Sequence, residues 1–121
     1  MAKIESYKDL IAYQKGYLLV LDIYRLTRKL PAEELYGLSS QMRRCAVSIP
    51  SNIAEGYMRG TKEYIHFLKI ALGSTAELET QLSLCRDLCY IEEQDVNRLI
   101  GLSHEVMKLL KTYIHKIGSS Q

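Results

Sequence analysis

Few residues of this 121-residue sequence have the types and spacing that metal-assisted hydrolysis requires. His104 and Glu105 begin like the His-Glu-x-x-His helix that binds zinc in proteases. The second histidine of that motif would fall at position 108, which is Lys108. The seven glycines form no phosphate-binding loop either. We therefore expect a protein that is not an enzyme.

Cysteines are the other residues that could bind a metal ion. Cys85 and Cys89 lie one helical turn apart, and Cys45 and His66 are conceivable further ligands. Cys85 and Cys89 also lie on an apolar helical stripe, where cysteine behaves as a small hydrophobic residue. We accordingly expect neither a metal nor another cofactor.

Lysines and arginines could contact phosphate groups. The 16 basic and 14 acidic residues leave a net charge of only +2, so composition alone demands no polyanionic partner. Bases are nevertheless concentrated in residues 1–30 and 106–117. These segments form a modest basic patch if they share a face, and ordinary solvated helix surfaces otherwise. The candidate nucleic-acid contacts are Lys15, Arg25, Lys29, Lys108, Lys111 and Lys116.

A second set of polar residues recurs along one side of a predicted helix, within about 60° at 100° per residue. Its members are Gln41, Arg44, Ser48, Asn52, Glu55 and Arg59. We interpret this polar seam as a structural network at a helix or subunit contact, and the alternative is a ligand or RNA groove that uses Arg44 and Asn52. The structural interpretation predicts that Glu55 is buried and bonded to an arginine or to backbone N–H groups. Glu55→Ala should then lower stability or disrupt assembly by about 2 kcal/mol or more, because the buried partner of Glu55 is stranded.

The elements that position these residues are all predicted to be helical. Apolar residues recur in alternating steps of three and four, and no segment alternates with the period of a strand. We predict helices over about 7–30, 38–58, 62–89 and 93–117, separated by Pro31–Gly37, Gly60–Thr61 and a short third connection. The expected fold is all-α: an antiparallel up-and-down four-helix bundle in which residues 1–121 form one domain.

The first predicted helix has more apolar surface than one bundle core can cover. Leu19, Ile23 and Leu26 fall on one side, whereas Tyr17 and Leu21 fall on nearly the opposite side. A core-facing stripe needs to be only modestly wider than about 100°. We therefore predict that the surplus apolar surface lies in a contact between copies of the chain.

The sequence predicts a cytoplasmic protein. No apolar run is long enough to span a bilayer, so we expect no membrane association. The N-terminal residues lack the apolar region of a signal peptide, and an odd count of three cysteines is typical of reduced thiols.

The densest motif is Gln41–Gly56, which contains the string Ser-Ile-Pro-Ser-Asn-Ile-Ala-Glu-Gly. With Tyr36–Leu38, Glu63–Leu68 and Ile70–Leu78, it resembles the four-helix-bundle family encoded by intervening sequences of bacterial 23S ribosomal RNA genes. The resemblance implies an up-and-down bundle, a ring-like homopentamer and an association with ribosomal RNA. It also extends to the accessory protein of diversity-generating retroelements, a similar bundle that binds a reverse transcriptase and nucleic acid.

Two functional hypotheses follow. The first is a homo-oligomeric protein that binds structured or ribosomal RNA through lysines and arginines repeated around the assembly. The second is an oligomeric scaffold for a protein partner such as a reverse transcriptase, with little affinity of its own for nucleic acid. The RNA-binding hypothesis requires that the basic residues share an exposed face, whereas the scaffold hypothesis does not.

Overall fold

The structure, a computed structural model, describes residues 3–119 and contains four long helices. They are α1 (Ile11–Thr27), α2 (Leu38–Arg59), α3 (Thr61–Asp87) and α4 (Glu93–Ser119). Short 3-10 turns at Tyr7–Asp9 and Ala32–Glu34 precede α1 and α2, and residues 3–119 contain no strand. The predicted all-α fold is confirmed.

The helices form an antiparallel up-and-down bundle, as predicted. Each helix packs against the next along the chain, and α4 packs back against α1. Ion pairs show the antiparallel register of α1 and α4, because Lys15 pairs with Glu105 whereas Lys29 pairs with Asp95. Within the described part of the chain, no Cα atom of α1 lies within 8 Å of one in α3, and the same holds for α2 and α4.

The start of the first helix differs from the prediction. Ser6 and Asp9 form a capping box, in which Ser6 Oγ accepts a hydrogen bond from the Lys8 amide at 2.9 Å. That box closes only the 3-10 turn, because Leu10 is extended at φ −74° and ψ 128°. The α-helix therefore begins at Ile11, four residues later than predicted, and it ends at Thr27 instead of residue 30.

The core is built from the predicted helical stripes. Fully buried side chains from all four helices include Leu19, Ile23, Met42, Ile49, Ile53, Leu68, Leu78, Leu82, Val96, Leu99, Val106 and Leu110. Cys85 is buried on the α3 stripe, but Cys89 is exposed. The reason is that α3 ends at Asp87, two residues before the predicted end, and Cys89 has φ +61°.

Helices α2 and α3 approach closely near their connection, and this contact depends on Gly56. A Cβ atom on Gly56 would lie 2.8 Å from Phe67 Cβ and 3.3 Å from the Tyr64 carbonyl oxygen. The Tyr64 oxygen is a backbone atom of α3, and the α3 backbone fixes the position of the Phe67 Cβ atom. Side-chain rotation therefore cannot relieve the clash. The hairpin of α2 and α3 requires glycine at this position.

Candidate functional site

One face of the bundle, formed by α1 and α2, exposes large apolar side chains. Tyr17, Leu21 and Tyr24 of α1 are 52%, 39% and 38% exposed, and Val47 of α2 lies beside them. The predicted surplus stripe of the first helix therefore lies outside the core. Soluble proteins rarely leave such contiguous patches uncovered unless they bind a partner.

A groove of about 340 Å³ runs along this face between the two helices. We call it the α1/α2 groove. Its lining is mostly apolar and aromatic: Tyr7, Tyr13, Tyr17, Val20, Leu21, Val47, Pro50, Ser51 and Ala54. Tyr7 and Tyr13 meet edge to face with ring centroids 5.0 Å apart, which stiffens one end of the groove.

The basic residues of the first helix are mostly neutralised by acids. Lys15 Nζ lies 2.8 Å from Glu105, and Lys29 Nζ lies 3.9 Å from Asp95. Arg25 lies 3.2 Å from Asp22, which also contacts Arg98 of α4 at 3.6 Å. These ion pairs mainly link α1 to α4. They leave little unpaired charge on α1.

The two basic segments do not form one patch. Because α1 and α4 are antiparallel, Arg25 and Lys29 lie beside the first turns of α4. Lys108 lies 13 residues beyond Asp95, which is about 20 Å at about 1.5 Å per residue. Of the predicted set, the three α4 lysines lie on the same half of α4, and Lys15 lies near them because its partner Glu105 is one turn before Lys108.

Lys108, Lys111 and Lys116 are exposed on the C-terminal half of α4, and none of them forms an ion pair with residues 3–119. The antiparallel neighbour α3 adds two exposed lysines at the same end. The five lysines lie at one end of the two helices, with Lys116 on the edge of α4 that faces α1. We call this set the α3/α4 basic surface: Lys62, Lys69, Lys108, Lys111 and Lys116.

Sequence reasoning missed the two α3 lysines because their position depends on helix pairing. His104 Nε2 lies 2.7 Å from Glu79, and Arg86 donates to Asn97 at 2.9 Å. This register places Lys69 opposite residue 114, within the lysine-rich half of α4. The α3 stretch from 61 to 74 contains one acid, Glu63, and it is already paired with Arg59 at 3.0 Å.

The middle of the predicted polar seam forms a structural network. Ser48 Oγ lies 2.9 Å from Ser74 Oγ across the contact between α2 and α3. Asn52 Nδ2 donates to the Ser48 carbonyl at 2.7 Å and to Ser48 Oγ at 2.9 Å. Gln41 and Arg44, at the start of the seam, are exposed instead.

The prediction that Glu55 is buried is wrong. Its side chain is 50% exposed, and its arginine partner is Arg59, one turn along the same helix at 2.9 Å. The neighbouring residue Gly56 takes the contact with α3, which turns Glu55 outward. The predicted stability loss in Glu55→Ala does not follow, because no buried partner would be stranded and exposed pairs contribute little.

The buried cysteines are poor metal ligands. Burial, with Glu77 nearby, raises the pKa of the Cys45 thiol to about 12. Burial raises that of Cys85 to about 11. Both remain protonated at neutral pH, whereas metal ions bind thiolates. In residues 3–119, no three His, Cys, Asp or Glu side chains converge on a common point.

Comparison with known proteins agrees with the four-helix architecture and the central motif. A sequence model of the 23S rRNA-intervening sequence protein family matches residues 8–112. The chain belongs to this family. No curated protein matches it.

A solved structure that is similar to this chain supports the fold. It is a protein of unknown function from the S23 ribosomal protein family of Bacteroides thetaiotaomicron VPI-5482, and its identity to this chain is 29%. The match covers 89% of this chain and 98% of the relative, with a TM-score of 0.81. Among residues 3–119 we find no helix with an apolar stretch that could span a bilayer.

Proposed function

We propose that this protein is a non-enzymatic, homo-oligomeric RNA-binding protein that contacts structured RNA through its α3/α4 basic surface. The proposal is supported by five exposed lysines at one end of two adjacent helices. Glu63 is the one acid in the segments 61–74 and 108–119, and it is paired with Arg59. Phosphate groups are the ligands that such unpaired lysines attract. The family takes its name from intervening sequences of 23S rRNA, so ribosomal RNA is the first candidate for the RNA that is bound.

Assembly would supply the affinity that one chain lacks. A net charge of +2 gives weak attraction for RNA, but identical basic surfaces repeated in one particle bind the same molecule with increased effective concentration. The exposed apolar face of α1 and α2 supports self-association, and it lies on the opposite side of the bundle from the basic surface. We propose a ring-like homopentamer, as the family resemblance implies, located in the cytoplasm, where its three free cysteines would stay reduced.

A second function is favoured by a different observation. The α1/α2 groove is rich in tyrosine, a residue enriched in protein interfaces. It could bind a protein partner such as a reverse transcriptase, in which case the assembly is a scaffold. The two proposals differ in the affinity of the protein alone for RNA.

We expect replacement of Lys108, Lys111 and Lys116 by glutamine to weaken RNA binding and its dependence on salt. Each phosphate contact contributes about 0.7–0.9 to the slope of log affinity against log salt, so losing three lowers the slope by about 2–3. Titration of a structured RNA at several salt concentrations measures both quantities.

The matched control changes the net charge equally but replaces the paired bases Lys15, Arg25 and Lys29. It should retain RNA affinity within about two-fold, because these side chains already contact acids. Equal losses in both variants would show that only total charge matters. An absence of RNA binding by the unmodified protein at low salt would favour the scaffold.

A further inference from the structure

The connection between α1 and α2 presents two apolar side chains to solvent. Tyr36 is 92% exposed and Leu35 is 50% exposed, and we call this pair the 35–36 tip. The tip is held in place by Glu34, whose carboxylate accepts hydrogen bonds from the Leu38 amide at 3.1 Å and from Tyr90 Oη at 3.0 Å. An ordered turn thus displays an aromatic ring that makes no ring contact within residues 3–119.

The chain's own tip borders the near end of this face, where Leu35 and Tyr36 line a depression with Val47, but it does not reach the far part of the α1/α2 groove. Pro50, Ser51 and Ala54 of the groove lie 12–16 residues beyond the first residue of α2, which follows the tip directly. This separation is about 18–24 Å along a straight helix at about 1.5 Å per residue. The chain's own tip therefore leaves this part of the groove open to an occupant from outside the chain.

Charge complementarity identifies a second copy of the chain as that occupant. The bundle end that carries the tip, residues 28–37 and 87–95, contains six acids and two bases. The opposite end, residues 3–15, 55–69 and 108–119, contains nine bases and four acids. The groove approaches this end through Tyr7, which belongs to it, and Ala54, which directly precedes it. Ends of opposite charge attract when copies meet head to tail, and like ends repel.

We propose that the 35–36 tip of one copy inserts into the α1/α2 groove of the next copy. This inference rests on the self-association in the proposed function and names the surfaces that meet. Each copy donates one tip and receives another, so the contact is heterologous, and such contacts generate closed rings when the rotation between copies closes. The same contact would cover the exposed apolar stripe beside the groove.

This proposal is tested by two variants, each of which loses one half of the contact. Tyr36→Ala removes the tip, and Ser51→Arg places a long charged side chain in the groove; both positions are exposed, so the fold should persist. Each variant alone should sediment as a 13.9-kDa monomer. An equimolar mixture retains one intact tip and one intact groove, and it should form heterodimers of twice that mass. Leu84→Ala and Thr80→Arg, matched exposed changes on α3, should retain the mass of the unmodified assembly.

Fluorescence gives a second readout, because the chain contains no tryptophan. The indole introduced by Tyr36→Trp should emit at shorter wavelength in the assembly than in the same variant combined with Ser51→Arg. Water-like emission from the assembled protein, or an unchanged mass in Tyr36→Ala, would overturn the tip-in-groove contact while leaving self-association intact. A monomeric unmodified protein would instead contradict both the contact and the proposed oligomer.

Discussion

Replacing Tyr17, Leu21 and Tyr24 together by glutamine should convert the assembled protein into monomers of 13.9 kDa. Burying a large apolar side chain completely contributes about 1.5–3 kcal/mol, and these side chains, already partly covered in one chain, can gain about half of that at a contact. Their combined loss weakens each contact about a hundred-fold in dissociation constant. Sedimentation or light scattering at micromolar concentration measures the change.

The three substitutions should leave the bundle folded, because the replaced side chains are exposed and glutamine is a good helix former. The matched control is Leu84→Gln, which changes an exposed leucine on α3, away from the groove. It should keep the mass of the unmodified assembly. A triple variant with unchanged mass would show that the α1/α2 face is not a subunit contact.

Gly56→Ala should lower the free energy of unfolding by about 1–3 kcal/mol, the usual cost of overpacking a close contact. The added methyl group would lie 2.8 Å from Phe67 Cβ, so α2 and α3 must separate locally. This cost opposes the intrinsic helix preference for alanine over glycine. Urea unfolding followed by circular dichroism measures the net change.

Gly101→Ala is the control for this prediction. Gly101 lies within α4, and a Cβ atom there would meet nothing within 4 Å. Alanine should therefore raise the free energy of unfolding by about 0.5–1 kcal/mol through helix propensity alone. Stabilisation of similar size at both positions would contradict the close approach of α2 and α3 at Gly56.

Periodicity predicts which helices form and which stripes they bury, because a stripe must recur with the helical period to stay on one side. The stripe containing Leu19, Ile23 and Leu26 is predicted for this reason, and so is the surplus apolar stripe on the opposite side of the first helix. The orientation of Glu55 is not predicted by periodicity. It depends on how closely α3 approaches α2 at Gly56. Because neighbouring residues differ by about 100° around the helix, the contact at Gly56 leaves Glu55 on the exposed side.

The pattern of charges along the sequence also does not predict which charged residues of different helices become neighbours. Lys15 and Lys29 stand out as bases in the sequence, but acids about 65–90 positions later in the chain neutralise them. Lys62 and Lys69 become part of the basic surface only through the antiparallel register of α3 and α4. Such long-range neighbours follow from the packed bundle and not from local spacing.

If the proposed function is correct, weak basic surfaces bind RNA because self-association repeats them in one particle. Measuring the affinity of one structured RNA for the unmodified protein and for the Tyr17→Gln, Leu21→Gln, Tyr24→Gln variant tests it directly, since the variant keeps every lysine and the same net charge. We predict that the monomeric variant binds at least about 100-fold more weakly, because it loses multivalency. Equal affinity of a verified monomer and the unmodified protein would contradict the claim.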